Sequence, residues 1–427
     1  MDRKIYDTYV ALLRTELTMA TGCTEPIAIA YAGAKLREVL ATIPEHCTVF
    51  CSGNMVKNVF AVTVPNSGGA RGIDTAAVLG LVGGDASAGL DVLHAVTQEH
   101  IDLTHKLVDA GACDCELVEG VANLYIRIEA EAGEDRGLIE IKDYHTNITR
   151  LEKNGVSVLG CGAKGADAAA SAAPDKTLLN LRDIYAFAGA LNPDDVRETL
   201  RCQIACNRAI AEEGLKNPWG AQVGRTILEG ENGDSLVNRA RAWAAAGSDA
   251  RMNGCPLPVV INSGSGNQGI TVSLPVWIYA QEYGIAEDDM LRALAFANLV
   301  SLNLKRHIGS LSAFCGATSA ATGAACGIAY MLGESFETIC GIVTNNLNTI
   351  GGMVCDGAKS SCAAKIAAAV GTALLSLDMS RKGRVFKPGE GLVKEDIEDT
   401  IASVGRMGRE GMKSTDVEIL KIMLGKE

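Results

Sequence analysis

Three cysteines in the second half of the chain have the residue type and the local context of iron ligands. Cys315 stands forty residues before Cys355, and Cys355 stands seven before Cys362. Both segments are flanked by glycine, as is typical of turns between helices, so three thiolates could meet at one point. A cluster held by only three thiolates leaves one iron open, as a Lewis-acid catalyst requires. Because the spacing contains no CxxC pair, buried packing cysteines remain the alternative interpretation.

A glycine-rich loop at 262–269 and a shorter segment at 52–54 are candidate substrate sites. The loop follows a short predicted strand, and its backbone NH groups have little steric cover, so it could hold a carboxylate or a phosphate. A simple glycine turn between strand and helix explains it equally well. The candidate substrate-binding residues are Ser265, Gly266, Asn267, Ser52 and Asn54.

Lys305 opens a basic run just before Cys315 and is a further candidate for binding a substrate carboxylate. A lysine provides positive charge for such a group. Basic residues at the C-terminus of a helix also interact favourably with the helix dipole, which is the alternative reason for this run.

The segments around Cys315 and around Cys355 and Cys362 resemble the family that unites iron-sulfur L-serine dehydratase alpha chains with L-cysteine desulfidases. The resemblance extends over most of the chain. The Thr-Gly-Cys-Thr-Glu-Pro turn at 21–26 and the short gap between Cys355 and Cys362 are similar to the desulfidase branch, since serine dehydratases have a longer gap. The resemblance implies that Cys315, Cys355 and Cys362 bind a [4Fe-4S] cluster and that Cys23 is a further active-site cysteine.

The same resemblance implies a lyase that removes the β substituent of a small L-amino acid, with L-cysteine giving pyruvate, ammonia and sulfide. Cys23 would be the catalytic base or a sulfur-handling group, because a cysteine at a helix start has its thiolate stabilised by backbone NH groups and the dipole. The alternative is that Cys23 is a buried thiol that only packs at that turn.

Other functions remain open from the sequence. One is an L-serine or L-threonine dehydratase of the same mechanism. Another is a pyridoxal-phosphate dehydratase, since the 262–269 loop resembles the substrate loops of that class, although a Schiff-base lysine has no recognisable context here. A third is a non-catalytic iron- or cysteine-binding sensor. Two closely spaced cysteine pairs could also hold a metal: Cys113 with Cys115, and Cys202 with Cys206.

The pattern of apolar residues predicts an α+β fold. Residues 1–45 form N-terminal helices expected to pack on a helical domain, 46–165 form an α+β domain with an antiparallel sheet, and 166–427 form the helical domain that carries the cluster. Two β-runs are expected within 47–65. The Ala/Gly-rich segment 162–176 is the candidate domain boundary. The site is expected where the N-terminal segment meets the helical domain.

The charge and the apolar composition of the chain argue against a nucleic-acid-binding protein and against a membrane protein. A net charge of −12 and a pI of about 5.1, without a Lys/Arg block, make nucleic acid an unlikely partner. The N-terminus is polar and has no signal-peptide pattern, and the weakly apolar stretch 308–333 suits a buried helix better than a membrane span. We therefore expect a cytoplasmic homo-oligomer, as a dimer, that binds a small amino acid and no membrane.

Overall fold

A sheet in the N-terminal half and a large group of helices in the C-terminal half confirm the α+β class. The computed structural model describes residues 1–159, 174–309 and 311–425. The Ala/Gly-rich segment expected as the domain boundary falls mainly on 160–173, which lie outside the described residues. The boundary at 165/166 therefore stays a prediction.

Eight strands lie in the described residues and form two sheets. They are β1 Met19–Thr21, β2 His46–Ser52, β3 Cys113–Val118, β4 Tyr125–Ala132, β5 Asp135–Lys142, β6 Ile148–Lys153, β7 Val156–Ser157 and β8 Pro258–Val260. The larger sheet has the order β3-β2-β4-β5-β6-β7. Its pairs are antiparallel, as predicted, except β2 with β3, which is parallel. Parallel pairing needs a long crossover connection, and the helices between these two strands provide it.

The helices of the N-terminal half are α1 Arg3–Glu16, α2 Thr24–Leu40, α3 Gly53–Val59, α4 Ile73–Gly83 and α5 Gln98–Asp109. Those of the C-terminal half are α6 Leu181–Ala190, α7 Arg197–Lys216, α8 Val223–Glu229, α9 Leu236–Met252, α10 Gly266–Glu282, α11 Glu287–Ile308, α12 Gly316–Met331, α13 Phe336–Ile350, α14 Cys362–Arg381, α15 Ile397–Arg406 and α16 Lys413–Met423.

The second β-run expected within 47–65 is wrong: the chain forms α3 at Gly53–Val59 and continues in turns, with Thr63 in an isolated bridge to Arg71. Ser52 caps this helix, and its Oγ accepts a hydrogen bond from the Met55 backbone NH at 3.4 Å. Met55, Val56 and Val59 are buried at helical spacing. The cap and this spacing outweigh the β propensity of the valines.

The first forty-five residues divide between two hydrophobic cores. On α1, Tyr9, Leu12 and Leu13 are buried in the core of the C-terminal helices. On α2, Ile27 and Leu36 belong instead to the core that covers the sheet. α1 therefore packs with the C-terminal helices, whereas the apolar face of α2 meets the strands, and the division of the chain into domains stays a prediction.

A two-stranded ladder joins the two halves next to the site. β1 pairs antiparallel with β8, with Met19 opposite Val260 and Thr21 opposite Pro258. Cys23 follows β1 within two residues, and the 262–269 loop follows β8 within two residues. Pairing of the two strands therefore brings the Cys23 turn and the glycine-rich loop side by side.

Among the described helices, α14 is long and apolar enough to cross a membrane by length and composition, and half of its most apolar window is buried inside the protein. The stretch 308–333, expected to be a buried helix, contains the last residue of α11 and the whole of α12. Every residue of α12 from Ala317 to Ala329 is buried.

Candidate functional site

One cavity of about 490 Å³ lies between the N-terminal half and the C-terminal helices. Its wall is formed by the start of α2, the turn between β5 and β6, the loop before α10, the end of α11 and the turns that precede α12 and α14. All four cysteines that the sequence predicts as site residues line it: Cys23, Cys315, Cys355 and Cys362.

The turns that carry Cys315 and Cys355 are bound directly to each other. The Cys315 backbone NH donates to the Met353 carbonyl at 2.8 Å, and the Cys355 NH donates to the Ala313 carbonyl at 2.7 Å. Phe314 thereby forms an isolated antiparallel bridge with Val354. Forty residues of sequence separate these cysteines, and two backbone hydrogen bonds hold them together.

Cys362 returns to the same wall as the first residue of α14. The loop before it is pressed against α3, because a Cβ on Gly357 would lie 2.3 Å from the Lys57 carbonyl oxygen. The positive φ of Gly357, +95°, also favours glycine. Cys315 and Cys362 both stand at helix N-termini, where free NH groups and the dipole favour negative charge.

Lysines surround the three thiols. Lys57 is buried and forms an ion pair with Asp416, and the same carboxylate accepts a hydrogen bond from the Ala313 NH at 2.9 Å. Lys365 forms an ion pair with Asp356. A hydrogen bond from Cys315 and then the charges of Lys57 and Lys365 lower the pKa of Cys355 to about 6, against the opposing effect of burial.

This donor set could hold an iron-sulfur cluster. It offers three thiols, one with its pKa already lowered, in a cationic wall that suits thiolate ligands. Across 1–159, 174–309 and 311–425, no group of three or more His, Cys, Asp or Glu side chains is arranged to hold a metal ion. A cluster is larger than one ion, so its cysteines need not converge as tightly as the ligands of a single zinc.

Cys23 lines the cavity from the start of α2 and is not a stabilised thiolate. It occupies the N-cap position of α2, as predicted, but its Sγ is buried and donates a hydrogen bond to Glu25 Oε2 at 2.9 Å. Burial, and then the negative charge of Glu25, raise the pKa of Cys23 well above its ordinary value. The expected dipole stabilisation of the thiolate is thus corrected, because a carboxylate and an apolar surrounding outweigh it.

Glu25 is the centre of a small polar network. Besides Cys23, its carboxylate accepts hydrogen bonds from Thr24 Oγ1 at 3.1 Å and from Asn58 Nδ2 at 3.2 Å. Burial favours its neutral form, but the neighbouring His145, the hydrogen bond from Cys23 and the charge of Arg251 act in the opposite direction, so the pKa of Glu25 lies below its usual value. Thr24 also donates to the Gly264 carbonyl at 3.0 Å, which fastens this network to the glycine-rich loop.

Two long side chains of the C-terminal half complete the wall. Arg251, near the end of α9, is 3% exposed and donates from Nη1 to Asn267 Oδ1 at 3.1 Å. Lys305, in the last turn of α11, is also buried, and burial lowers its pKa to about 8 against the opposing influence of Cys355 and Cys315. Both present positive charge to the cavity.

The predicted substrate residues divide into two groups. Ser265, Asn267 and Lys305 line the cavity. Gly266 does not line it but lies against Arg251, where a Cβ would be 2.3 Å from Nε.

Ser52 and Asn54 also lie outside the cavity, which corrects the substrate contact expected of them. The Ser52 hydroxyl donates to the Asn123 carbonyl at 2.6 Å and caps α3. Asn58, one turn further along that helix, lines the cavity instead.

Four cavity residues were missed by the sequence reasoning: Glu25, His145, Arg251 and Gln268. Glu25 stands two residues after Cys23 and Gln268 lies within the glycine-rich loop at 262–269, so proximity to a named motif could have found both. His145 in a hairpin turn and Arg251 on a helix have no such signal, because the tertiary fold alone brings them to the cavity.

The two other cysteine pairs lie away from the cavity wall. Cys202 and Cys206 face each other on α7 with their sulfurs 3.9 Å apart. Cys113 and Cys115 lie on β3 at the edge of the larger sheet.

Comparison with known proteins identifies the family. The serine dehydratase alpha chain profile matches residues 87–421. A UPF0597 protein of Treponema denticola is 43% identical over 428 residues, which cover 99% of either chain. A UPF0597 protein of Lachnoclostridium phytofermentans is 46% identical over 98% of this chain and all of the relative, and one of Finegoldia magna is 45% identical over 98% and 99%. The chain therefore belongs to the serine dehydratase alpha chain family.

Proposed function

We propose that this protein is a cytoplasmic lyase that converts L-cysteine and water to pyruvate, ammonia and sulfide. The observation that carries the proposal is one cavity walled by Cys315, Cys355 and Cys362 with Cys23 and two buried cations. Family membership supports a lyase of the serine dehydratase kind. The short gap between Cys355 and Cys362 favours the cysteine-specific branch.

The three thiols would hold a [4Fe-4S] cluster. When bound, such a cluster would supply a Lewis acid at the iron that no protein thiolate occupies. A cytoplasmic location suits this role, because thiols there are kept reduced.

The chain's own residues can move the α-proton of the substrate. Cys23 Sγ lines the cavity and shares its proton with Glu25 Oε2 at 2.9 Å. As the sulfur accepts the α-proton, its own proton passes to the carboxylate, so no isolated thiolate has to form in the buried site. Elimination of sulfide leaves aminoacrylate, which tautomerises to an imine and hydrolyses to pyruvate and ammonia.

The hydrogen bonds to Glu25 prepare it for this step. Thr24 and Asn58 hold the Glu25 carboxylate in place by hydrogen bonds, and the nearby His145 helps to lower the pKa of this carboxylate. Because the pKa of Glu25 is lowered, the carboxylate is ionised at neutral pH and able to accept the Cys23 proton. Lys305 adds positive charge that attracts the carboxylate of the substrate.

The test is anaerobic reconstitution of the full chain with iron and sulfide, followed by assays of 2-oxo acid and sulfide with L-cysteine, L-serine and L-threonine. We expect bound iron with acid-labile sulfide, and pyruvate and sulfide in equal amounts from L-cysteine. Turnover of L-serine or L-threonine in preference to L-cysteine would change the substrate. Bound pyridoxal phosphate, or ligand binding without turnover, would refute the proposed lyase and support the coenzyme-dependent or sensor alternative.

A further inference from the structure

Three buried polar atoms of the cavity wall have no partner within the described part of the chain: Arg251 Nε, Gln268 Oε1 and His145 Nε2. Arg251 Nε is a donor, and Gln268 Oε1 is an acceptor. Both residues are more than nine-tenths buried, at 3% and 6% exposure, and both line the cavity. A buried donor and a buried acceptor left unpaired are costly, so a ligand that satisfies both is the simplest reason to keep them.

Arg251 lies against the start of α10, a helix of 17 residues. Its Nη1 donates to Asn267 Oδ1, and Gly266 leaves room for Nε, since a Cβ there would lie 2.3 Å away. The helix N-terminus and the guanidinium together present NH donors and positive charge to the same part of the cavity. An anion of carboxylate size is the matching ligand, because a guanidinium can bind both carboxylate oxygens.

Glu25 does not satisfy this cation. Its carboxylate already accepts hydrogen bonds from Cys23, Thr24 and Asn58. The Arg251 hydrogen bond that the structure contains goes to Asn267. The guanidinium is therefore held in place by an amide and left with capacity for a second, charged partner.

Gln268 lies between this anion site and the predicted cluster ligands. A Cβ on Gly316, the residue after Cys315, would approach the Gln268 amide within 2.5 Å. Its backbone NH donates to Ser265 Oγ at 3.4 Å, which holds the first turn of α10 in place. An ammonium group carries three donors and no acceptor, and so it complements the free Oε1.

We propose that Arg251 and Gln268 recognise the two charged groups of a free α-amino acid, with Arg251 binding the α-carboxylate and Gln268 accepting from the α-ammonium. The pair sets the substrate class and leaves the side chain of the ligand to face the cysteines. This inference deepens the proposed function and rests on it for the identity of the reaction, but the binding it describes requires no turnover.

The experiment is calorimetric titration of the anaerobically reconstituted full chain with three small ligands. L-alanine carries both charged groups and no leaving group, ethylamine lacks the carboxylate, and propionate lacks the ammonium. We expect the wild-type protein to bind L-alanine at least about tenfold more tightly than either fragment, which is the range of a charge-assisted hydrogen bond.

The variants separate the two roles. Arg251→Met should weaken L-alanine about tenfold to a hundredfold and leave ethylamine unchanged, whereas Gln268→Leu should weaken L-alanine and leave propionate unchanged. Arg251→Lys should restore part of the affinity, which a loss of folding would not allow. The matched control is Arg239→Met on the same helix, whose side chain pairs with Glu282 at the surface.

Several outcomes would overturn the inference: wild-type protein that does not bind L-alanine, equal binding of L-alanine and ethylamine, or an Arg251→Met variant with unchanged affinity. The outcome is separable from that of the proposed lyase. If L-alanine binds as expected but no amino acid is turned over, the recognition stands and the lyase fails. If L-cysteine is turned over and Arg251→Met leaves both KM and L-alanine affinity unchanged, the lyase stands and the recognition fails.

Discussion

Two groups of four cysteines occupy different regions of this molecule. The cavity group, Cys23, Cys315, Cys355 and Cys362, comes from turns that are far apart in the sequence. The sheet group, Cys47, Cys51, Cys113 and Cys115, comes from the neighbouring strands β2 and β3, where Cys47 pairs with Cys113 in register. By spacing alone the sheet group is the more regular, since its members alternate along their strands and share one face.

The surroundings of the two groups differ in charge. Three cavity thiols lie among lysines, and two of them stand at helix N-termini. Cys47 and Cys51 belong to the apolar core that covers the sheet and Cys113 packs against it, whereas Cys115 is exposed and has Asp74 as a nearby acid. Burial raises the pKa of Cys51, and the thiol of Cys115 adds to that effect. The cavity group is the candidate site because positive charge and open space surround its thiols. The sheet group has the more regular spacing but lacks both features.

The largest expected effect is the loss of iron from the cavity group. Cys355→Ala removes the thiol with the lowered pKa, so the reconstituted protein should lose most of its iron and acid-labile sulfide, together with pyruvate formation. Cys115→Ala, an exposed member of the sheet group, is the matched control and should keep both. Equal iron content in the two variants would remove the distinction between the groups.

A smaller effect separates Cys23 from the other cavity cysteines. Cys23→Ser should keep the iron and lower kcat by roughly 10²–10⁴, the usual contribution of a positioned acid or base. Cys51→Ser is the control in the sheet group, where a buried hydroxyl should lower stability and leave kcat unchanged. Loss of iron in Cys23→Ser would make it a ligand, and unchanged kcat would exclude it from the mechanism.

The fold class and the convergence of the cavity cysteines follow from local sequence signals. Alternation of apolar residues predicts β4 to β6, and glycine turns beside Cys315 and Cys355 indicate where the chain reverses. The valine-rich run after Ser52 was wrongly predicted as a strand, because a short apolar run does not distinguish a strand from a short buried helix.

The rest of the site depends on contacts that no local pattern contains. Arg251 reaches the cavity because the end of α9 lies against the start of α10, where its Nη1 donates to Asn267 Oδ1. His145 arrives through the hairpin of β5 and β6. The protonation of Cys23 was also misjudged, since the sequence shows a helix start but not the burial and the geometry of Glu25 that raise the thiol pKa.

The finest contrast between the groups is the order in which their thiols react. In iron-free full chain at pH 7, iodoacetamide should label Cys115 before Cys23. A hydrogen bond from Cys113 lowers the pKa of the exposed Cys115, whereas burial and Glu25 raise the pKa of Cys23.

Glu25→Gln removes the negative charge beside Cys23. The pKa of this thiol should fall, and at any pH below it the labelling rate should rise about tenfold for each unit of the fall. Peptide mass spectrometry follows both sites in one sample, so Cys115 serves as the internal control. If Glu25→Gln leaves the Cys23 rate unchanged, the carboxylate does not hold the thiol proton, and burial alone keeps Cys23 protonated.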